Sequence, residues 1–404
     1  MERVVIAILS MLGLLLLPGC KTIRLISLYK SAKQQVTQTV IGDPIDIPFS
    51  YQRDWIMLHL LVKQGTDSVE GAFIFDSGAF TSLFDSCQPI RVWTPPNVAR
   101  LPVQGALGKS YKEMKIARNI SLQAGQFAVL KPKLLVSAKP HFFPAACLGI
   151  IGADFFRGSV LTIDFKHQRF RLEAAGRFNA VGMTTLKMKT VANSNPVLQK
   201  VSLGDLPTMD YLLDAGNVGS VLIQQPDQNR LRAMMGAGLR EYAIKEKELK
   251  DGSGTRVASN YYTKTERTIG LVQCPEFEVA GLINGNSPPK FGNMGLAFLK
   301  QVFESITLDF SQRQLYYKIN PHPISTERMD REVYFSQEDS SFFTGPVLMH
   351  SVWYEQGLKP GMQVIHINGQ DPVVYMNQRR EGKEPGLRSV TLSTGDGKSH
   401  TITK

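Results

Sequence analysis

The sequence predicts a mainly β protein: two similar β lobes in one chain, followed by a smaller α+β unit. Three observations carry that expectation. Residues 73–84 (FIFDSGAFTSLF) and 211–222 (YLLDAGNVGSVL) spell one phrase twice, an apolar run into an aspartate, a small residue and a glycine. Each is followed by a second shared phrase, LGIIGADFF at 148–156 and NMGLAFL at 293–299, which leads into VLTIDF at 160–165 and SITLDF at 305–310. Asp76 and Asp214 lie 138 residues apart, and Gly152 and Gly295 lie 143 apart, so separate phrases recur at nearly one offset. A period that long suits two lobes and not a solenoid. After Pro323 the pattern changes, which sets off the third unit.

Taken in order, the chain opens with Arg3, an apolar run from Val4 to Leu17, and Pro18-Gly19-Cys20. That run falls short of the roughly 20 apolar residues a membrane-spanning helix needs and has the length of a signal-peptide core. Its ending resembles the bacterial lipobox, which implies a signal peptide over 1–19 and lipidation of Cys20. Residues 20–40 are polar and basic and read as a tether. The first lobe is expected over 41–180, with strands near 45–49, 55–62, 71–76 and 82–84, where short apolar bursts are broken by Gly, Pro, Asp and Asn. The second is expected over 181–322, with a partly helical stretch at 224–246. The third unit takes 324–404.

Composition narrows the function. The 404 residues, 43% hydrophobic and 20% charged, can build two or three globular domains. Mean hydropathy of −0.11 argues against a polytopic membrane protein. The net charge is +11, but basic residues are dispersed and the densest patches, 245–250 and 379–383, are interleaved with glutamate, which argues against a nucleic-acid partner. The four cysteines form no Cys-x-x-Cys and no cluster with the seven histidines, so no metal and no cofactor is expected. Cys147 reads as a small buried hydrophobe. Asp164 and Asp309, each in Thr-Ile/Leu-Asp-Phe, read as turn residues.

The twin aspartates carry chemistry. A strand delivers each to a tight turn, and glycine two residues on permits backbone angles and approaches closed to other residues. Two carboxylates brought together cannot both ionise, so one becomes a base and its partner stays protonated. Such a pair activates water without a metal or a covalent intermediate.

Asp76-Ser77-Gly78-Ala79 and its partner Asp214-Ala215-Gly216-Asn217, each with its apolar-glycine phrase, resemble the retropepsin-like aspartic peptidases in a single-chain, two-lobed bacterial form. The resemblance covers about 41–320. It implies an acid-protease fold, catalysis by Asp76 and Asp214, loops shaped by Ser77, Gly78, Ala215 and Gly216, and strands carrying Gly152 and Gly295 beneath the dyad. It also implies flap hairpins, with 105–110 and 250–255 as candidates. The second motif departs from the family: Ala215 lacks a bracing hydroxyl and Asn217 replaces a small residue.

In the third unit, Gly345-Pro346-Val347-Leu348, Gly357-Leu358-Lys359-Pro360-Gly361-Met362 and Val364-Ile365-His366-Ile367-Asn368-Gly369 resemble bacterial PDZ domains. That resemblance implies peptide-terminus binding at Thr344, Gly345 and Val347 by strand addition. Pro346, which has no N–H, departs from it, and packing against the lobes is the other reading. The expectation is a monomeric aspartic endopeptidase, lipid-anchored in a bacterial envelope on the periplasmic face of the outer membrane, since Lys21 is not the aspartate of an inner-membrane retention signal. It acts on protein or peptide. The alternative is a non-catalytic peptide-binding lipoprotein with a degenerate dyad.

Overall fold

A computed structural model describes residues 34–39, 41–52, 55–79, 81–85, 90–93, 100–105, 108–137, 147–191, 195–202, 208–223, 240–243, 247–248, 256–257, 261–264, 267–269, 272–274, 277–281, 291–321, 332–338, 340–380, 386–394 and 397–404. The expected signal peptide, Cys20 and most of the tether lie outside the described residues. The architecture is mainly β.

In the first lobe, Trp55–Gln64 and Asp67–Asp76 form an antiparallel hairpin, and Gly108–Ala124 and Phe127–Ser137 form a second. The Asp67–Asp76 strand starts with polar alternation (DSVE) and ends in the run AFIF, whose Phe73, Ile74 and Phe75 are buried as the strand dives under the lobe. Cys147–Gly152 runs parallel to it, pairing Gly152 with Asp76, and antiparallel to Leu83–Phe84 on its other side. The second lobe repeats this arrangement. Gly292–Gly295 is parallel to Met209–Asp214, pairing Gly295 with Asp214, and antiparallel to Val221–Ile223. In both lobes the glycine-bearing strand runs straight into a short helix, Ala153–Phe156 in the first and Leu296–Val302 in the second.

The helices feed the sheet that joins the lobes. Ser159–Asp164 and Phe303–Asp309 pair antiparallel about a centre at Thr162 and Thr307, whose hydroxyls hydrogen-bond at 2.8 Å. Arg169–Ala174 and Ile45–Pro48 extend the sheet on one side, Gln314–Ile319 and Thr184–Val191 on the other. Asp164 and Asp309 close the flanking hairpins: Asp164 accepts from His167 N at 2.9 Å, and Asp309 from the N–H groups of Ser311 and Gln312 at 2.9 Å each. One apolar core runs through both lobes, built on Phe75, Phe156 and Phe170 in the first and Phe298, Phe303 and Leu308 in the second. Each fully buried ring of this kind contributes roughly 1.5–3 kcal/mol.

The C-terminal unit has its own core around Trp353, Val347, Ile367 and Val390. Five antiparallel strands, Val333–Glu338, Ser341–Leu348, Gln363–Ile367, Ser389–Ser393 and Ser399–Thr403, carry helices Val352–Glu355 and Pro372–Arg380. Of the stretch 224–246, expected to be partly helical, only Arg240–Ala243 is described: it is a strand that pairs with Tyr261–Lys264 and with Val347 and Leu348 of the C-terminal unit. The rest of 224–239 and 244–246 lies outside the described residues.

Candidate active site

The strand ends bring Asp76 and Asp214 face to face. Each aspartate opens the same tight turn: Ala79 N donates to Asp76 O at 3.1 Å, and Asn217 N donates to Asp214 O at 3.1 Å. The glycines are required by the opposite loop. A Cβ on Gly78 would lie 2.6 Å from Cγ of Asp214, and a Cβ on Gly216 would lie 2.3 Å from Cγ of Asp76. Each carboxyl group therefore rests on the other lobe's glycine, and the two hydrogen-bond each other.

Side chains lock the loops across the lobe boundary. Ser77 Oγ donates to Leu213 O at 2.7 Å and accepts from Ala215 N at 2.9 Å. Ala215, at the matching place in the second loop, is buried and offers only a methyl group. Trp55 Nε1 donates to Gly216 O at 3.1 Å, while Asn195 Nδ2 donates to Gly78 O at 2.6 Å and Ala79 O at 2.9 Å. Beneath the loops, a Cβ on Gly295 would lie 2.1 Å from Gly219 O, and one on Gly152 would lie 2.5 Å from Asp154 Oδ1.

The support behind the two loops differs. Behind the first stands a buried ion pair, Lys131 Nζ to Asp154 Oδ2 at 2.5 Å. Asp154 also accepts from Thr81 Oγ1 at 3.2 Å and from the N–H and hydroxyl of Ser82 at 3.1 Å each. Ala297 takes the place of Asp154 in the second lobe, where backbone bonds hold the loop: Gly295 N to Ser220 O at 2.7 Å, Leu296 N to Asn217 O at 2.6 Å and Ala297 N to Gly219 O at 3.1 Å.

The second loop has a feature the first lacks. Asn293 Nδ2 donates to Asp214 Oδ2 at 2.5 Å, and Asn217 Nδ2 donates to Asn293 Oδ1 at 2.9 Å. Asp214 Oδ1 accepts from Gly216 N at 3.1 Å and Asn217 N at 3.2 Å. Ile150 occupies the place of Asn293 in the first lobe. Burial, then the charge of Asp214 and the hydrogen bond to it, push Asp76 well above the usual carboxylate range, against the pull of the N–H groups of Ala79 and Gly78. Burial also raises Asp214, while Asn293, Asp76 and the N–H groups of Asn217 and Gly216 pull it back. Asp76 Oδ1 is buried and receives no hydrogen bond from a donor among the described residues. Carboxyl groups this close oppose each other's ionisation, and the side-chain amide on Asp214, which Asp76 lacks, favours the ionised form of Asp214.

Sequence reasoning missed Trp55, Asn195, Asn293, Lys131 and Asp154. For Asn293 a signal existed: the repeated phrase puts an amide where its twin has isoleucine. The other expected residues lie elsewhere. Thr344, Gly345 and Val347 sit on Ser341–Leu348. Thr344 N donates to Met362 O, and its hydroxyl donates to Lys359 O at 2.6 Å. Val347 pairs with Val333 on one side and Ala243 on the other. Gly105 and Gly108, which pair, end the strands Arg100–Gly105 and Gly108–Ala124; 106–107 and 250–255 lie outside the described residues, the latter between the paired strands Lys247–Glu248 and Arg256–Val257. Cys147 is buried, with its thiol on Gly149 O. Among the described residues no group of three or more His, Cys, Asp or Glu side chains could hold a metal ion.

No protein-family model matches the chain, and no curated protein matches it in sequence. Among solved structures the chain is similar to the aspartic proteinase from Irpex lacteus, at 12% identity over 70% of this chain and 99% of that one, with a TM-score of 0.46. It is also similar to Basic 7S globulin from soybean, at 8% identity over 69% of this chain and 95% of that one, with a TM-score of 0.43.

Proposed function

We propose that the chain is an aspartic-type endopeptidase with an acid-protease fold, using Asp76 and Asp214 to activate water against a peptide bond. The observation that carries this reading is the half-buried, mutually hydrogen-bonded carboxyl pair, each member delivered by a strand end and seated on the other lobe's glycine. Asp214, the better solvated by donors, takes a proton from water as the oxygen attacks the substrate carbonyl carbon. Asp76 gives its proton to the carbonyl oxygen. The tetrahedral diol then collapses: the proton held by Asp214 passes to the leaving nitrogen, the C–N bond breaks, and a diol hydroxyl returns a proton to Asp76. Partial exclusion of water by the two loops strengthens each of these interactions.

The reading extends to the whole chain. Cys20 is its lipid anchor, the envelope its compartment, with the periplasmic face of the outer membrane as its place, and protein or peptide its substrate, acted on by a monomer. The segments 105–110 and 250–255 serve as flaps. The C-terminal unit is PDZ-like. Because both edges of its strand at Val347 are paired within the chain, a peptide adding there displaces Arg240–Ala243.

The test is cleavage of a diverse peptide library by the full chain from about pH 3 to 8, wild type beside Asp76→Asn. Cuts made only by the wild type support the reading. Equal cutting by both sinks it. Ala215 favours a second reading, a binding-only dyad: the loops have one hydroxyl brace where two would fit the duplication. Peptide retention without turnover, unchanged in Asp76→Asn, supports that one.

A further inference from the structure

The hydrogen-bond chain behind Asp214 has a polarity that only one of its members can set. Gly219 N donates to Asn217 Oδ1 at 3.0 Å, and a backbone N–H has no other role. That fixes the Asn217 amide with its oxygen toward Gly219 and its Nδ2 toward Asn293. Asn293 must then present Oδ1 to Asn217 and Nδ2 to Asp214. Neither amide can flip without placing two donors or two acceptors against each other. The last link is therefore obliged to be a donor. Asp214 Oδ2 faces a group that can only give a hydrogen bond, and its Oδ1 faces two more, Gly216 N and Asn217 N. Donors thus meet both oxygens of Asp214 and favour its ionised form; at Asp76 the N–H groups of Ala79 and Gly78 act in the same sense, but Oδ1 receives no donor among the described residues and no side-chain amide stands behind it.

We infer that Asn293, oriented by Asn217, is a positioning residue that keeps the negative charge of the dyad on Asp214 and leaves the proton to Asp76. The assignment rests on the peptidase reading only for its kinetic consequence. The first lobe has no counterpart, since Ile150 fills the matching place. Other charges around Asp214 do not make the same selection. Asp76, on the strand of the first lobe, is the titratable group facing it. On its own strand Asp210 pairs with Lys189 of Thr184–Val191. Lys200 lies at the far end of Asn195–Val201, Lys300 of the following helix sits over the Tyr51 ring, and Asp154 is paired with Lys131. Gly292–Gly295 and Val221–Ile223 carry no charge.

The test is the pH dependence of kcat/KM for wild type, Asn293→Leu and Asn217→Ala, on a peptide found in the library. Loss of one hydrogen bond to a charged group moves the acidic limb of Asn293→Leu upward by about one to two pH units. Turnover at pH values below the limb falls about tenfold or more, and above the limb it returns toward wild type. Asn217→Ala, which frees the Asn293 amide, moves the limb the same way by less. An unmoved limb, or a loss equal at all pH values, overturns the assignment. A second readout does not need turnover: carbon-13 carboxyl titration of the dyad. Asp214 ionising first in wild type, and at higher pH in Asn293→Leu, upholds the role of Asn293. The same titration in both proteins overturns it. If wild type cleaves nothing, the peptidase reading fails while the titration still decides the amide's role. If Asn293→Leu does not fold, Asn217→Ala decides the matter by both readouts.

Discussion

Trp55 and Asn195 hold the same place in the two lobes. Each opens the strand that pairs with its lobe's aspartate strand, two residues before the register pairs Met57–Ile74 and Val197–Leu212, and each reaches across to the other lobe's loop. One uses an indole N–H and the other an amide. Trp55→Phe keeps an aromatic ring and removes the donor to Gly216 O, and should cost about 1 kcal/mol of stability. Asn195→Ala strips donors from Gly78 O and Ala79 O, and should cost about 1–3 kcal/mol because two part-buried carbonyls lose their partner. Urea unfolding measures both; equal and negligible costs would contradict the bracing role.

The crossed glycines set a sharper limit. Gly216→Ala puts a methyl carbon 2.3 Å from Cγ of Asp76, and Gly78→Ala puts one 2.6 Å from Cγ of Asp214. Either must push the carboxyl groups apart. Turnover should fall about 100-fold or more, since a displacement of an ångström at a reacting group costs that much. Near wild-type rates in either variant would mean that the pair does not work as a unit.

The dyad should make stability fall as pH rises. Both acids are raised above their ordinary value of 3.8 by burial first of all, so the folded state binds more protons than the unfolded chain. Their contribution is complete below about pH 4 and is lost as pH climbs through the raised values. Asp76→Asn removes one such group. Relative to this variant, wild type should lose up to about 1.4 kcal/mol per pH unit above pH 4 until the group has ionised. Asp164, which burial opposes but His167 and Arg169 hold low, has the opposite sign and cancels in the comparison. Denaturant midpoints at a series of pH values decide this; parallel curves for the two proteins would refute it.

The ion pair behind the first loop should behave as a unit. Lys131→Met strands a buried carboxylate and should cost about 3–5 kcal/mol. Adding Asp154→Asn should recover much of that, so that the double variant is more stable than Lys131→Met alone. If the second change deepens the loss, Asp154 matters through Thr81 and Ser82 and not through the lysine.

Local grammar made the lobes legible. An apolar run ending in Asp-x-Gly states a strand and a tight turn within six residues, and its repetition located both aspartates and the glycine strands beneath them. Contacts between distant residues left no such trace. Trp55 finds Gly216 across 161 positions, and Asn195 finds Ala79 across 116. Lys131 stands in FAVLKPKLLVS, where a lysine reads as a surface residue, yet its side chain is fully buried on Asp154. Arg240–Ala243 carries helix-forming residues but is extended by two strand partners that nothing nearby in sequence announces.

The sheet joining the lobes has a near two-fold centre at Thr162 and Thr307. Two identical halves meeting there would be degenerate: neither carboxyl group could be told from its twin, and a bound peptide could lie in either direction with equal energy. Carrying both halves in one chain lifts that degeneracy. Serine faces alanine, isoleucine faces asparagine, tryptophan faces asparagine, and aspartate faces alanine at matching places. On the peptidase reading, acid and base are thereby distinguished and the two senses of a peptide across the dyad differ in energy, so the divergence of the repeat would set the polarity of the substrate backbone.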